Sequence, residues 1–413
     1  MSLDLLLNRR AFFLLGHVLY FSSMVILNNP LFFIETQARF IVFVSFLSFG
    51  AGLIFFLGET QRDTPIVRYV ILLTLLVVAG FRINFVNSIE NTAVSTQVIQ
   101  SSLTTFSIFC SVMVARKFDI RFSKLVIMAS GVISFIPIFL NRNEIFDYDL
   151  KDSFTLGVLT YDSYQTISQI IGMMVICVLS FVLEKRRPGL TTLPFALLIL
   201  LGLYTMTLSP ARGESVALVL AMSMYFVTGG RWFLIALAAI IVVNFGSMFS
   251  DSVLFERFSG VAAGDFGERD YLFSLALSQA FSGGVNFFVG GGLNYFQYYN
   301  MLPLELYPHN FILEGLVSGG VLLLLALLVV FILPIPLAMM RSKRLPNGRF
   351  LLCFMIYIAV IYLKSGTLNS MWGLGIYTCF FVAAVSRERQ TGQIGASDDE
   401  RAIVPLARTQ RLA

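Results

Sequence analysis

The chain has 413 residues, of which 57% are apolar and only 13% charged, and its formal net charge is +5. Soluble globular proteins normally have about 25% charged residues, so this composition excludes an ordinary soluble domain. Its apolar runs match the roughly 20 residues that a helix needs to cross a hydrocarbon core. They do not alternate with polar residues as the strands of a membrane barrel do. The sequence therefore predicts an all-α polytopic membrane protein.

Twelve transmembrane helices can be drawn, in a single domain over residues 1–386. The first is expected to be a retained helix, because no small-residue cleavage pattern follows it. Residues 387–413 are polar and mixed in charge, and they are expected to form a disordered cytoplasmic tail. The predicted spans are residues 11–27, 40–57, 66–81, 93–115, 124–140, 166–183, 193–208, 215–229, 232–249, 311–333, 350–363 and 369–386.

The distribution of basic residues between the two sides predicts the orientation. With both termini in the cytoplasm, most of the 29 Lys and Arg residues fall on the cytoplasmic side, as the positive-inside rule requires. The polar stretch at residues 250–310, between the ninth and tenth spans, then becomes one large outward, periplasmic loop. We expect any chemistry to involve this loop.

A few basic residues face outward against this bias. Snorkelling, or pairing with lipid phosphates and nearby acids, is the ordinary explanation for each of them. They are Arg39, Arg82, Arg142, Lys151, Arg212, Arg257, Arg269 and Lys364.

Two of these arginines are harder to explain in that way. Arg212 lies in the short turn at residues 209–214, which is held near the bilayer surface. Arg269 precedes residues 272–281, which are predicted to form an amphipathic helix lying on the membrane. A guanidinium offers a rigid fork of donors that matches phosphate oxygens. The two arginines therefore predict a site for a lipid-linked phosphate or diphosphate, unless Glu214, Glu268 and Asp270 neutralise them structurally.

His309 closes the loop in the sequence Tyr307-Pro308-His309-Asn310. Asn310 is a suitable N-cap for the helix that begins at Phe311. A histidine at the membrane surface is well placed for proton transfer, since its unperturbed pKa is near 6.5. A simple hydrogen-bonding role beside the cap is the equally weighted alternative.

Gly290-Gly291-Gly292 is either a backbone nest that binds an anion or a tight turn, and the turn is the favoured interpretation. The sequence contains no metal-binding spacing, no P-loop and no dinucleotide fingerprint. It therefore predicts no metal, no cofactor and no nucleic-acid partner.

Taken together, these motifs resemble the O-antigen ligase and polymerase family of bacterial inner-membrane glycosyltransferases. The resemblance covers residues 193–331. It rests on an outward Arg-Gly turn, an arginine before a surface helix with a glycine run behind it, and a His-Asn pair opening the next span. The chain departs from the family in having Pro-Ala, where serine is frequent, before the arginine of the turn. The matching residues are Arg212-Gly213, Arg269, Gly290-Gly291-Gly292, His309-Asn310, Phe311-Ile312-Leu313-Glu314 and Gly319-Gly320.

The resemblance implies a metal-independent transferase whose donor is an undecaprenyl-diphosphate-linked glycan, acting at the periplasmic face of the inner membrane. Arg212 and Arg269 would bind the diphosphate and stabilise the charge that develops as it leaves. His309 would act as a base on the acceptor hydroxyl or position it. The other expected substrate-binding residues are Arg257, Tyr271, Asn310 and Glu314.

Two other functions compete with polymerisation of repeat units. A ligase uses the same machinery to move the finished polymer to lipid A-core, and nothing in the chain marks that acceptor. A transporter or flippase would place ionisable groups near the bilayer midplane, whereas the span interiors here contain almost no charge. The expected partners of a polymerase are membrane lipids, the lipid-linked oligosaccharide and a chain-length-determining co-polymerase.

Overall fold

The structure is a computed structural model that describes part of the chain. The described residues are 120–140, 142, 154–156, 159–161, 164–184, 192–209, 211–230, 269–282, 284–293, 295–302, 306–345, 347–368, 374, 376, 378, 380–385 and 388.

The described elements are helices, apart from one antiparallel hairpin of two three-residue strands, β1 and β2. Helical structure is also described within residues 374–388. The elements are α1 (Ile120–Leu140), β1 (Phe154–Leu156), β2 (Leu159–Tyr161), α2 (Tyr164–Glu184), α3 (Leu193–Leu208), α4 (Arg212–Thr228), α5 (Arg269–Phe281), α6 (Val285–Val289), α7 (Tyr295–Tyr299), α8 (Phe311–Leu327), a π-helical turn (Leu328–Ile332), α9 (Pro334–Arg341) and α10 (Gly348–Ser365).

Four of the described helical stretches are long and apolar enough to cross a membrane: Ile120–Leu140, Ile167–Glu184, Phe311–Arg341 and Gly348–Ser365. Two shorter apolar helices, Leu193–Leu208 and Gly213–Thr228, lie beside them. The prediction of a helical, membrane-type chain is confirmed at this level. The predicted spans at residues 11–27, 40–57, 66–81, 93–115 and 232–249 lie outside the described residues, and so does the predicted tail at 387–413 apart from residue 388.

The main core joins α2, α4 and α10. Tyr357, in the middle of α10, is fully buried and donates hydrogen bonds to the carbonyls of Ser168 (3.2 Å) and Gln169 (3.1 Å) in α2. Its hydroxyl lies against Gly172, where any Cβ would collide with the ring. A small residue at that position is therefore what allows the two helices to approach each other.

The stretch Phe311–Arg341 is interrupted at two points. Gly320 has φ 64° and ψ −165°, so the helix kinks there. Further on, Leu333 N–H donates to the carbonyl of Leu328 (2.8 Å), five residues back, in a π-helical turn. Pro334 follows that turn and has no N–H to continue the regular pattern. The stretch is therefore a chain of short helical segments, and not one rigid rod.

A second, smaller core holds the segment at residues 269–302 against α8. Leu272, Ala276 and Ala280, one face of α5, pack on Leu313 and Val317 of α8. The other side of α5 carries the exposed side chains of Tyr271, Phe273 and Phe281. The predicted helix at residues 272–281 is thus present. Ser274 and Ser278 are exposed as well as these aromatic residues, so the exposed side is polar in part and contains no charged residue between 271 and 281.

Candidate functional site

A cluster of charged and polar groups lies where one end of α4, one end of α10 and the start of α8 meet. In this cluster Lys364 Nζ lies 3.1 Å from Glu214 Oε2, and Glu214 is 1% exposed. Gly229, at the other end of α4, lies beside Arg349 near the start of α10. The two helices are therefore antiparallel, and the ion pair joins residues far apart in sequence.

Gly213 explains how Lys364 enters this cluster. Any Cβ at position 213 would collide with the side-chain carbons of Lys364. The side chain of Lys364 therefore packs directly against the backbone of Gly213, the glycine of the predicted Arg-Gly turn. Of the ordinary explanations for an outward basic residue, pairing with a nearby acid describes Lys364, because its ammonium group is held by the buried carboxylate of Glu214.

Asn310 is the N-cap of α8, as predicted. Its Oδ1 accepts hydrogen bonds from the backbone N–H groups of Ile312 and Leu313, both at 3.0 Å. Its Nδ2 donates to the carbonyl of Leu363 at 2.7 Å. Asn310 therefore ties the start of α8 to the end of α10 and brings the residue before it, His309, next to Lys364.

Glu314 makes a second connection of the same kind. One carboxylate oxygen accepts from the Thr367 hydroxyl (3.1 Å), and the other accepts from the Leu368 backbone N–H (2.9 Å). The residue is 4% exposed. Its carboxylate satisfies groups in the turn that follows α10, so in this structure it supports the site.

His309 lies between these supports in a left-handed backbone conformation, with φ 52°. Its ring packs on Tyr307 with the centroids 4.1 Å apart, and the Tyr307 hydroxyl donates to the carbonyl of Ser365 (3.0 Å). His309 Nδ1 is buried and has no hydrogen-bond partner among the described residues. The backbone conformation and the ring of Tyr307 thus position the imidazole, and its Nδ1 makes no hydrogen bond to the described residues.

The electrostatic environment of His309 is positive. Burial, followed by the nearby charges of Arg269 and Lys364, lowers the pKa of His309 from 6.5 to about 4. The imidazole is therefore neutral near pH 7 and a weak base as it stands, which favours the positioning role over the base role. Burial raises the pKa of Tyr307 above its ordinary value, with Glu314 adding to the effect and Arg269 opposing it.

The structure describes some of the remaining candidate residues fully, one only in its backbone and one not at all. Arg269 is the first residue of α5 and acts electrostatically on His309 and Tyr307. Arg212 begins α4 immediately before Gly213, and its side chain lies outside the described part of the structure. Tyr271 is 61% exposed on α5. Arg257 lies in residues that the structure does not describe.

The glycine run at residues 290–292 fits the favoured interpretation of a tight turn, and its N–H groups are not available for the alternative, an anion nest. The Gly291 N–H donates to the carbonyl of Val317 (2.9 Å), and the Gly292 N–H donates to that of Ser318 (2.8 Å). The first N–H of the run bonds within its own helical turn. All three donors are therefore used by backbone carbonyls.

Lys364 is the residue whose role the sequence interpretation missed. The available signal was position: it ends a strongly apolar helix on the same side as Arg212 and His309. Its pairing with Glu214 depends on the antiparallel packing of α4 and α10, which no local pattern indicates.

No model of a known protein family matches the chain, and no curated protein sequence matches it either.

The depressed pKa of His309 predicts an acid-dependent loss of stability. The unfolded imidazole takes up a proton near pH 6.5 and the folded one only near pH 4, so the contribution to stability is complete above pH 6.5 and is lost as the pH falls through this window. We expect His309→Asn, which tolerates positive φ, to remove that part of the acid sensitivity. Thermal unfolding of both purified proteins between pH 7 and pH 4 measures it, and parallel pH profiles would contradict the prediction.

Proposed function

We propose that the protein is a bacterial inner-membrane glycosyltransferase that polymerises undecaprenyl-diphosphate-linked oligosaccharide repeat units at the periplasmic face. Both termini would lie in the cytoplasm, with twelve spans and the large loop at residues 250–310 outside. The observation that carries the proposal is the grouping of Arg269, Lys364 and a neutral His309 at one end of apolar helices.

This grouping suits a lipid-linked diphosphate. A diphosphate on a polyprenyl carrier lies at headgroup depth, level with the ends of the spans. Arg269 offers a fork of donors that complements the charge of the leaving diphosphate. Lys364 adds a second cationic group beside it, with its charge partly offset by Glu214. Arg212 begins α4 beside Gly213, and we assign it to the same diphosphate.

His309 is assigned to the acceptor hydroxyl. As the site stands, the low pKa of His309 suits a neutral group that positions the hydroxyl through a hydrogen bond. A bound diphosphate adds negative charge beside Arg269 and Lys364, which offsets the two cations that lower the pKa of His309. The imidazole then becomes a better base when the donor is present, so the two roles left open by the sequence belong to two states of the site.

Asn310 and Glu314 receive positioning roles, because their side chains are committed to Leu363, Thr367 and Leu368. Tyr271 and Arg257 remain proposed substrate contacts. The chemistry is proposed to need no metal ion. Among the described residues no group of three His, Cys, Asp or Glu side chains is placed to hold one.

The placement of charge favours an enzyme over a transporter. Every charged residue of the described helices lies within about five residues of a helix end, including the buried Lys124 and its exposed partner Glu184 (2.7 Å). Transporters place such groups near the midplane, where alternating access exposes them to each side in turn.

The test is a strain lacking this chain, with its lipopolysaccharide separated on a gel. We expect long chains to disappear while a single capped repeat remains, and plasmid-borne protein to restore the ladder. Loss of all capping, with polymer retained on the carrier lipid, would show the ligase instead. An unchanged ladder in the deletion strain would refute both.

A further inference from the structure

The segment at residues 271–304 contains no charged side chain, although Asp270 and Glu305 border it directly. It is rich in Phe, Tyr and Leu. Water-exposed loops of this length normally carry charges, since apolar surface in water is unfavourable. The composition therefore differs from that of the polar loop in which the segment lies.

The segment starts and ends at the level of the functional site. Arg269, at the start of α5, is close enough to His309 to lower its pKa. After α7 the chain returns to Tyr307, whose hydroxyl reaches the end of α10. Between these points the descending and returning limbs are joined by a hydrogen bond from Asn300 Nδ2 to Gln279 Oε1 (3.1 Å). The segment is thus a hairpin with both ends on one side.

The tip of this hairpin lies along α8, well below the site. The glycine turn bonds to Val317 and Ser318, which are about 10 Å from Phe311 at a rise of 1.5 Å per residue. Gly320, roughly 13 Å along the helix by the same rise, contacts the backbone of Phe288. One leaflet of hydrocarbon is about 15 Å thick. If α8 starts at the membrane surface, α6 lies near the midplane.

The backbone of the glycine run at residues 290–292, where the tip contacts α8, satisfies the condition for irregular structure at such depth. Non-helical backbone is tolerated within the membrane only where it is buried in protein or lines a water-filled cavity. Residues 290–292 are buried, and their N–H groups are all bonded. The carbonyls of Val317 and Ser318, which precede the kink at Gly320, accept hydrogen bonds from the N–H groups of Gly291 and Gly292. The polar backbone groups of the turn and of the kinked helix are thus paired with each other.

The outward side of the hairpin is apolar. Phe281 is 63% exposed, Val285 71% and Phe288 59%, and the tyrosines at 298 and 299 are similarly open. Phe288 lies at the depth just described, and Phe281 is joined to it through ring contacts with Phe287. Acyl chains are the surroundings that such a surface requires, because the neighbouring turns of α8 are themselves membrane-spanning.

We infer that residues 271–302 form a re-entrant membrane hairpin, whose exposed aromatic face contacts lipid acyl chains in the leaflet on the His309 side. Contacts between residues 290–292 and residues 317–320 hold the hairpin against the kinked part of α8. This inference concerns the membrane contact of the segment and does not depend on the transferase activity.

Fluorescence quenching in proteoliposomes tests the inference. In a background in which Trp232 and Trp372 are replaced by Phe, Phe288→Trp places a single reporter at the tip. Tyr271→Trp is the matched control, because its position is equally exposed (61% against 59%) but lies in the first turn of α5, at the start of the hairpin. Val285→Trp repeats the measurement on the same face if the first variant fails to fold.

We expect lipid brominated at mid-chain to quench the tip reporter at least about twofold more than lipid brominated near the headgroup, in keeping with the estimated depth of roughly 13 Å. The control should show the opposite order and should respond to aqueous iodide. Iodide quenching of the tip reporter equal to that of the control would place the hairpin in water. Resistance to every quencher would mean that protein, such as a second copy of the chain, covers this face. Either result overturns the inference.

Discussion

Replacing Arg269 with alanine is expected to lower the rate of repeat-unit transfer by about 100-fold to 1,000-fold, the range found when a preorganised group that stabilises developing charge is removed. Arg269 is the described guanidinium that acts on His309. Arg269→Lys keeps the charge and loses the rigid fork of donors, so it should recover part of the rate. Initial rates with purified protein and lipid-linked repeat units in proteoliposomes measure the effect.

The matched control is Arg341→Ala. Arg341 is also a helix-terminal arginine, but it lies at the far end of α9, is half exposed and pairs with Glu388 at 3.5 Å. A surface pair of this kind contributes little to stability, and we expect the rate to stay within about twofold of wild type, in keeping with so small a contribution. Equal rates for wild type and Arg269→Ala, at equal amounts of folded protein, would remove Arg269 from the proposed site.

Gly320→Ala should give the largest loss of stability. Alanine at φ 64° and ψ −165° occupies a region that is almost exclusive to glycine, at a cost of roughly 1–3 kcal/mol. Its Cβ would also collide with the backbone of Phe288, which cannot move unless α6 leaves α8. Adding the overpacking cost, we expect roughly 2–6 kcal/mol in total. Equilibrium unfolding in mixed micelles measures the difference.

Gly284→Ala separates the two causes. Gly284 has nearly the same backbone conformation, φ 76° and ψ −157°, but no atom of the described residues lies within 4 Å of the position that its Cβ would take. This control therefore carries the conformational cost alone, roughly 1–3 kcal/mol. If the two variants lose the same free energy of unfolding, the contact between Gly320 and Phe288 contributes nothing to docking of the hairpin.

Local signals predict the helices well. α3 covers residues 193–208 as predicted, because a proline in its first turn and the Ser-Pro after it restrict where a helix can begin and end. Asn310 caps α8 for an equally local reason: its side chain reaches the free N–H groups of the next turn. Such features need only neighbours in sequence, so the sequence suffices to find them.

The candidate site is less predictable, because its supports come from distant helices. His309 and Arg269 stand out as charged or titratable groups beside apolar segments. The bond from Glu314 to Leu368 and the passage of Lys364 over Gly213 require a known helix packing. The same limit applies to α5: its helix is predicted from the sequence, whereas its packing on Leu313 and Val317 of α8 depends on the fold.

The ion pair of Glu214 and Lys364 also couples the order of synthesis to assembly. α4 leaves the ribosome well before α10, yet its buried carboxylate meets its cation only when α10 is in place. A nascent chain that ends before Gly348 lacks the cation that pairs with this carboxylate, which is buried in the assembled protein. Insertion of α10 therefore completes the ion pair with Glu214, and a protein truncated before α10 lacks it.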